Sequence, residues 1–313
     1  MGIQYLNRIL RTYAPDGINQ ISLYSLKNKT LAVDTSIYLY RYQAENALIE
    51  NIYLMISLFK HYKITPIFVF DGKPPQEKFE ELEKRKKQKQ KSQQRWFELE
   101  NLLKENTNDE EKRSEILEEM DKEKKKCVKV SKSDIQEVKE LMSSYGVQFI
   151  EAEGEADLIC AKLVQKKIAY GCLSEDMDLF LYGTSRVFRY FSLLNSNVVV
   201  YNLKIILKQL NLNIKEFKQI CVLSGTDYNR YTDSQNTIYK SLKLFGKFKK
   251  SKEPDFYDWL FDNNKIKDKE SLLKTFDMFD TSKISLNVKK HVCLEDKSNL
   301  KAILLKNGFI FPK

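Results

Sequence analysis

Short apolar runs alternate with helical stretches along the chain, and this alternation restricts the possible folds more than any other feature of the sequence. Four continuous runs stand out, namely TLAVD (30–34), PIFVFD (66–71), VQFIE (147–151) and AYGCLSED (169–176). Helical patterns separate them over 36–62, 133–145 and 154–166. Buried parallel strands have this continuously apolar character and require helical crossovers. The sequence therefore predicts an α/β fold with a doubly wound, mainly parallel sheet.

Composition excludes several classes of protein and indicates a polyanionic partner. With 42% hydrophobic residues and only 10 Gly and 6 Pro in 313 residues, the chain is neither disordered nor of low complexity. Its 53 Lys and Arg exceed its 43 Asp and Glu, which gives a net charge of +10. Such an excess favours nucleic acid or an anionic membrane as the partner.

Two further observations favour nucleic acid over a membrane. No apolar run reaches the ~18 residues that span a bilayer. Arg8 and Arg11 interrupt the amino-terminal segment where a signal peptide is apolar. The five cysteines form no CxxC pair, and His61 and His291 lie far apart. We therefore expect a reduced intracellular protein without a zinc site and without membrane attachment.

A highly charged segment, residues 73–132, interrupts the alternation. Within it Trp96, Leu99 and Leu103 recur at helical spacing, and a second apolar stripe follows the polar ENTND (105–109). The pattern predicts two long charged helices inserted into the sheet domain. A solvated helical hairpin without function is the alternative that composition leaves open.

Seven carboxylates stand at the ends of apolar runs or at the start of a helix. They are Asp34, Asp71, Asp176 and Asp178 at strand ends, Glu155 and Asp157 at the start of the helix after VQFI, and Asp227 at the end of CVLSGTD. Ligands of open α/β sheets bind at the carboxyl ends of the strands, so we expect these acids to share one crevice. Each acid alone is equally typical of a helix cap, a turn or a solvated surface. Glu151, Glu153 and Glu175 lie nearby and leave the membership of the set open.

Seven converging carboxylates require cations, because like charges within several ångströms repel one another. Oxygen ligands without His or Cys favour Mg²⁺, with Mn²⁺ as a substitute. Two such ions clamp a scissile phosphate in many nucleases. A basic chain with an acidic metal pocket therefore has the charge distribution of a metal-dependent nuclease.

Six ordered motifs over residues 1–228 resemble the flap endonuclease branch of the XPG-type structure-specific nucleases. They are MGIQYL, VDTSIYLY, VFDGKPPQEK, EGEADLICAKL, SEDMD and LSGTDY. The resemblance implies a PIN-like fold, 5′ flap cleavage and two bound Mg²⁺ ions. It places the metal ligands on the same seven acids, of which Asp34, Asp71 and Asp176 are also counted as catalytic, and it leaves Glu153 and Glu175 outside.

The resemblance also assigns residues outside the acidic set. Lys78 and Arg85 match the family's catalytic cations, for which an exposed helix face is the alternative. Tyr40 matches the aromatic residue that stacks on a base, and a core or boundary tyrosine is its alternative. Gly2 matches the residue whose amino group lies by the metal site once Met1 is removed, and an ordinary terminus is the alternative.

The resemblance implies a division of the chain into four segments. Residues 1–72 and 133–228 form the nuclease core, 73–132 form a helical arch over a single-stranded 5′ end, and 229–313 form a divergent, helical and basic duplex-binding region. Lys84 in the arch and Lys132 at the end of the basic cluster KEKKKCVKVSK (122–132) belong to the expected electrostatic funnel for DNA.

Two features depart from the family pattern. Residues 226–245 contain no glycine, whereas the family places a GxG turn there to present backbone amides to the duplex. The absence of glycine argues against binding of the duplex by backbone amides and against the potassium ion that relatives bind there. Lys243 and neighbouring lysines are the alternative phosphate contacts. The carboxyl-terminal KNGFIFPK lacks the motif that binds a sliding clamp. The chain fits a divergent branch, of cellular or viral origin.

Together these observations predict a Mg²⁺-dependent nuclease that cuts at single-strand/duplex junctions in replication, repair or recombination, with 5′–3′ exonuclease activity as an extension. A non-catalytic nucleic-acid-binding scaffold is the alternative, although retention of all seven acids argues against it. A 5′–3′ exoribonuclease with a related core is disfavoured by the DGKPPQEK motif and the short chain. We expect a monomer that binds branched DNA at sites of DNA synthesis, in the nucleus or in a cytoplasmic viral replication site.

Overall fold

The computed structural model describes residues 3–105, 110–229, 237–251, 253–283 and 290–311. The chain divides into two compact units. The first, called the sheet unit, comprises Met1–Thr35, Ile56–Lys73 and Gln148–His291. The second, called the helical unit, comprises Ser36–Met55, Pro74–Val147 and Val292–Lys313. The functional division at residues 72, 132 and 228 stays a prediction.

Eight strands form one sheet within the described part of the sheet unit. They are β1 (Ile18–Ser22), β2 (Thr30–Asp34), β3 (Thr65–Phe70), β4 (Phe149–Glu151), β5 (Gly171–Leu173), β6 (Arg186–Ser192), β7 (Asn197–Asn202) and β8 (Lys290–His291). Their order is β1-β7-β6-β5-β2-β3-β4-β8. The five strands from β6 to β4 are parallel, whereas β1 pairs antiparallel with β7, β7 with β6, and β8 with β4. The predicted mainly parallel α/β sheet is confirmed.

The central strand β2 is buried on both faces. Ala32 belongs to the core cluster that also contains the buried residues of the helix after β4. Its neighbours Leu31 and Val33 point to the opposite face and are equally inaccessible. Burial on both faces is what a doubly wound sheet requires, and it explains why TLAVD has no polar alternation.

Thirteen helices are described. They are α1 (Leu6–Tyr13), α2 (Thr35–Ala44), α3 (Leu48–His61), α4 (Phe79–Glu105), α5 (Glu110–Lys126), α6 (Lys132–Ser144), α7 (Ala156–Gln165), α8 (Leu203–Leu210), α9 (Ile214–Leu223), α10 (Ile238–Phe248), α11 (Phe256–Asp262), α12 (Lys269–Met278) and α13 (Lys297–Lys306). The helices predicted over 133–145 and 154–166 correspond to α6 and α7 within two residues.

The prediction of a single helix over 36–62 is wrong. The chain leaves the helix after Ala44, and Asn46 has a left-handed φ of 54° before α3 begins at Leu48. The Ala47 amide donates to the Tyr42 carbonyl at 3.0 Å and closes this turn. Asparagine adopts the left-handed conformation more readily than most residues, so the break needs neither Gly nor Pro.

The two long helices predicted in the charged insert are present in the helical unit. Leu99 of α4 is 1% exposed, and Arg95 Nε of α4 lies 2.9 Å from Glu119 Oε1 of α5. The short apolar stripe therefore supplies the buried contact, while ion pairs occupy the exposed faces. Ser131 and Asp134 form a reciprocal capping box that begins α6.

Candidate metal centre and nucleic-acid interface

Three neighbouring parallel strands bring acids to one edge of the sheet. Asp34 is the last residue of β2, Asp71 follows β3 directly, and Asp176 lies three residues beyond β5. The strands are adjacent in the order β5-β2-β3 and run in the same direction. Their carboxyl ends, together with the start of α7 and the loop after α9, are called the acid edge below.

Hydrogen bonds connect the acids of β2 and β5. Ser174 Oγ donates to Asp34 Oδ2 at 2.8 Å and accepts from the Asp176 amide at 3.0 Å. The Asp178 amide in turn donates to Asp176 Oδ1 at 2.9 Å. The loop after β5 is thereby folded back on the end of β2, which fixes three of the predicted ligands relative to one another.

The start of α7 is tied to the end of β3. Glu155 is the N-cap residue of α7, and the Ala156 amide donates to Asp71 Oδ1 at 2.7 Å. The Gly72 amide donates to the Gly154 carbonyl at 2.6 Å. A Cβ at Gly72 would lie 2.2 Å from the Ala152 carbonyl oxygen, so only glycine permits this approach.

Tyr228 connects the last acid of the set to the start of α7. It follows Asp227, and its hydroxyl donates to Glu155 Oε2. The Tyr182 hydroxyl lies 3.0 Å from that of Tyr228. Burial, reinforced by the charge of Asp157, raises the pKa of both phenols, so both hydroxyls keep their protons. Sequence reasoning did not assign a role to either tyrosine, although Tyr228 stands inside the LSGTDY motif.

A side-chain clamp shapes the loop that carries Asp227. Asn229 Oδ1 accepts from the Thr226 amide at 3.0 Å and from its hydroxyl at 2.7 Å. Asn229 Nδ2 donates to the Val222 carbonyl at 2.9 Å. The clamp therefore joins the end of α9 to the loop and holds Asp227 where it is 4% exposed.

Most acids of the set are withdrawn from solvent. Five are buried, namely Asp34, Asp157, Asp176, Asp178 and Asp227, while Glu155 is half-buried and Asp71 is exposed. Burial raises the pKa of the thiols of Cys160 and Cys172, and the charges of Asp34 and Asp157 add to the shift in each case. Because Asp34 of β2 and Asp157 of α7 raise the pKa of the same two thiols, both carboxylates lie near these thiols.

The donor set fits a hard divalent cation. Buried charge needs a compensating partner, and carboxylate oxygens without His or Cys suit Mg²⁺ or Mn²⁺. Ser174, the Ala156 amide and Tyr228 donate to single oxygens of Asp34, Asp71 and Glu155, the orienting role that outer partners have around metal ligands. Among the described residues, no group of three or more His, Cys, Asp or Glu side chains already has the arrangement of a metal-binding group.

The sequence left open whether Glu151, Glu153 and Glu175 belong to the acidic set, and in the structure these three residues contact other groups. Glu175 Oε2 lies 3.3 Å from Arg189 Nε, and Glu175 Oε1 accepts from the Tyr190 amide at 2.6 Å. Glu151 Oε1 lies 3.6 Å from His291 Nε2. Glu153 is exposed, and its carbonyl accepts from the amide of Lys73. Arg189 was not singled out by the sequence analysis, since an arginine within a strand has no diagnostic spacing.

The two predicted catalytic cations lie at the beginning of α4 in the helical unit. Lys78 ends a single 3-10 turn directly before α4. Arg85 lies seven residues further, and its Nε is 2.9 Å from Glu81 Oε1. Glu81 is only 6% exposed, so the guanidinium is held by a buried carboxylate. Glu81 is a neighbour that the sequence pattern did not distinguish from the other acids of the insert.

Tyr40 is 48% exposed on α2, which argues against the alternative of a core tyrosine. Lys89 Nζ of α4 lies 5.3 Å from the centre of its ring. The same ammonium group donates to the Val128 carbonyl at 2.8 Å. The aromatic residue predicted to stack on a base is therefore already paired with a cation in the helical unit.

The lysines predicted to contact DNA are exposed. Lys84 lies on α4, Lys132 begins α6, and Lys243 lies on α10 of the sheet unit. Part of the predicted basic cluster is neutralised, because Lys122, Lys125 and Lys126 pair with acids of their own helix α5. Gly2 and residues 230–236 of the glycine-free turn lie outside the described residues.

No described helix is both long and apolar enough to cross a bilayer.

The sequence matches two family models. Residues 1–92 match the XPG N-terminal domain, and residues 146–227 match the XPG I-region. Flap endonuclease 1 of Encephalitozoon cuniculi is 32% identical over 246 residues, covering 73% of this chain and 68% of that protein. Flap endonuclease 1 of Entamoeba histolytica is 32% identical over 249 residues, covering 73% of this chain and 62% of that protein. The chain thus spans somewhat less than two thirds of the Entamoeba relative.

Solved structures share the fold. Flap endonuclease-1 from Methanococcus jannaschii superposes with a TM-score of 0.67 at 22% identity, covering 98% of this chain and 93% of that one. The catalytic core of Rad2 in complex with a DNA substrate gives a TM-score of 0.69 at 22% identity, covering 97% and 94%. The fold and the family expected from the six motifs are confirmed. The chain belongs to the XPG family of structure-specific nucleases, in its flap endonuclease branch, and is therefore a hydrolase.

Proposed function

We propose that this chain hydrolyses a phosphodiester of 5′-flapped or otherwise branched DNA in a Mg²⁺-dependent reaction. The observation that carries the proposal is the acid edge, where the sheet unit has seven carboxylates at strand ends, at the start of α7 and in the loop after α9. A basic chain of net charge +10 needs a strong reason to concentrate buried acids, and a divalent metal site provides one.

The seven acids are proposed to hold two Mg²⁺ ions, for which Mn²⁺ is a substitute. The chemistry that such ions supply when bound is activation of a water and stabilisation of charge on the leaving oxygen. Ser174, the Ala156 amide and the neutral Tyr228 hydroxyl fix the orientation of the carboxylates. Because these hydrogen bonds are already formed, the carboxylates need less reorientation to bind a metal ion.

The remaining assigned residues are proposed to position the DNA. Lys78 and Arg85 hold the scissile phosphate as charged donors, with Glu81 restricting the motion of Arg85. Tyr40 offers an exposed ring for a base, and Gly2 contributes its amino group near the metal ions. Lys84, Lys132 and Lys243 contact phosphates without reading sequence. The proposal includes a monomeric protein acting at sites of DNA synthesis without the carboxyl-terminal clamp motif.

Asp176→Asn tests this proposal on a labelled double-flap DNA in Mg²⁺ and in EDTA. The asparagine oxygen still accepts from the Asp178 amide, so the loop keeps its fold while one ligand charge is lost. We expect wild-type protein to release the flap only with Mg²⁺. We expect the variant to bind the DNA and to cut it more than about 100-fold more slowly, since metal-based stabilisation is worth several kcal/mol.

Glu153→Gln is the matched control, because it removes an exposed acid two residues from Glu155 without touching the set. It should cut at the wild-type rate. Binding of the flap without cleavage in Mg²⁺ or Mn²⁺ by wild-type protein would overturn the proposal and favour the scaffold alternative.

A further inference from the structure

A cavity of about 520 Å³ lies at the opposite edge of the sheet from the acids. Three neighbouring parallel strands begin there, and each brings one residue to the lining. Lys29 precedes β2, Tyr170 precedes β5, and Arg186 is the first residue of β6. Lys167, after α7, is a third cation in the lining. These four residues are called the basic edge.

Two of the three cations of the basic edge lie beside one aromatic ring. Lys29 Nζ lies 5.0 Å and Arg186 Cζ lies 4.3 Å from the centre of the Tyr170 ring. The Tyr170 amide donates to the Thr30 carbonyl at 2.7 Å and fixes the start of β5 against β2. None of the described residues that line the cavity is acidic. Like charges held beside one ring repel each other, and a bound anion offsets that repulsion.

The same surface character continues beside the cavity. Lys27 precedes Asn28, which also lines the cavity, and its Nζ lies 5.8 Å from the centre of the Tyr24 ring. Tyr24 is 67% exposed. The half-buried Tyr170 and the exposed Tyr24 thus each have cations beside their rings, and such a repeated pairing suits a polymeric anion better than a small one.

We infer that the basic edge binds a backbone phosphate of a nucleic-acid strand. Arg186 offers a planar fork of donors, and Lys29 and Lys167 offer mobile ammonium groups, the usual partners of phosphate oxygens. The inference rests on the proposed action on DNA, and it adds a second contact to that substrate.

The phosphate at the basic edge is not the one that is cut. Thr30 and Asp34 stand at opposite ends of β2, four residues apart, which corresponds to about 13 Å along a strand. The acid edge and the basic edge therefore contact different parts of the bound DNA. The second contact anchors the substrate through a phosphate that carries no sequence information.

The test compares the affinity for double-flap DNA at several salt concentrations, in EDTA so that no strand is cut. Lys29→Gln and Arg186→Gln each remove one charge and keep a long polar side chain. We expect each variant to weaken binding and to reduce the slope of log affinity against log salt by about 1, as for one lost phosphate contact. Arg186→Lys retains the charge and should keep most of the slope.

Lys208→Gln is the charge-matched control, because Lys208 is exposed on α8 and does not line the cavity. It should keep the wild-type slope. Wild-type slopes for both cavity variants, with melting temperatures unchanged, would overturn the inference and leave the cavity to an anion other than DNA. Failure of the proposed function has a different signature, since wild-type protein would then bind flaps without cutting them in Mg²⁺.

Discussion

The two edges of the same parallel strands carry opposite charge. At their carboxyl ends β2, β3 and β5 present acids, and at their amino ends β2, β5 and β6 present two cations and a tyrosine. The acids are held by hydrogen bonds from Ser174, backbone amides and Tyr228, whereas the cations are held over a ring. A parallel sheet separates its strand starts from its strand ends, so one scaffold keeps an acidic edge and a basic edge about one strand length apart.

Mg²⁺ should stabilise the protein through the acid edge alone. Bound cations would relieve the repulsion among the seven carboxylates. A ligand that binds only the folded protein, such as Mg²⁺ here, adds about 2.7 kcal/mol to the free energy of unfolding when it is present at 100 times its Kd. We expect the melting temperature to rise on replacing EDTA with Mg²⁺. Asp176→Asn should show a smaller rise, because one ligand charge is missing.

The basic-edge variants provide the control for this measurement. Lys29→Gln and Arg186→Gln lie at the far end of the strands and should show the full wild-type rise. An equal rise in Asp176→Asn and wild type would mean that Mg²⁺ binds elsewhere, and the contrast between the edges would lose its physical basis.

Tyr228→Phe should weaken the acid edge without unfolding it. The substitution removes only the hydroxyl that donates to Glu155, and loss of an outer partner of a metal ligand costs about 10- to 100-fold in metal affinity or activity. We expect cleavage to need more Mg²⁺ for half-maximal rate, with the affinity for DNA unchanged.

Tyr182→Phe is the graded control, since the Tyr182 hydroxyl lies 3.0 Å from that of Tyr228, which in turn donates to Glu155. It should have a smaller effect than Tyr228→Phe. A Mg²⁺ dependence of Tyr228→Phe identical to that of wild type, at equal melting temperature in EDTA, would exclude the tyrosine as a positioning residue.

The acids of the acid edge could be located from the sequence because the end of a buried strand is recognisable as the end of an apolar run. TLAVD and PIFVFD are continuous, apolar and buried, and each is followed or ended by an aspartate. The hydroxyl donors were not predicted. Ser174 stands inside the SEDMD motif and Tyr182 in no motif, and both acquire their roles only when distant segments meet. Tyr228 was visible in a motif, but its bond to Glu155 links residues 73 positions apart.

The outer strands were harder to read than the inner ones. Neither β6 nor β7 was predicted. In β6 the segment RVFRYFS carries two arginines and lacks the continuous apolar run of an inner strand. The two-residue β8 pairs with β4 across about 140 residues of chain, a contact that local patterns do not report. The basic edge was missed for the same reason, since Lys29, Tyr170 and Arg186 become neighbours only through strand pairing.

Cysteine reactivity should distinguish the interior beneath the acid edge from the helical unit. Burial raises the pKa of Cys160, Cys172 and Cys221 above the usual thiol value, with nearby carboxylates adding to the shift, so their thiolates are scarce at pH 8. Cys127 and Cys293 are partly exposed. We expect Ellman's reagent to modify these two thiols quickly and the other three only after denaturation. Because burial is the larger cause of the shift, Asp34→Asn should leave this pattern unchanged. Rapid reaction of Cys160 or Cys172 in Asp34→Asn would show instead that the carboxylates control access to the interior of the sheet unit.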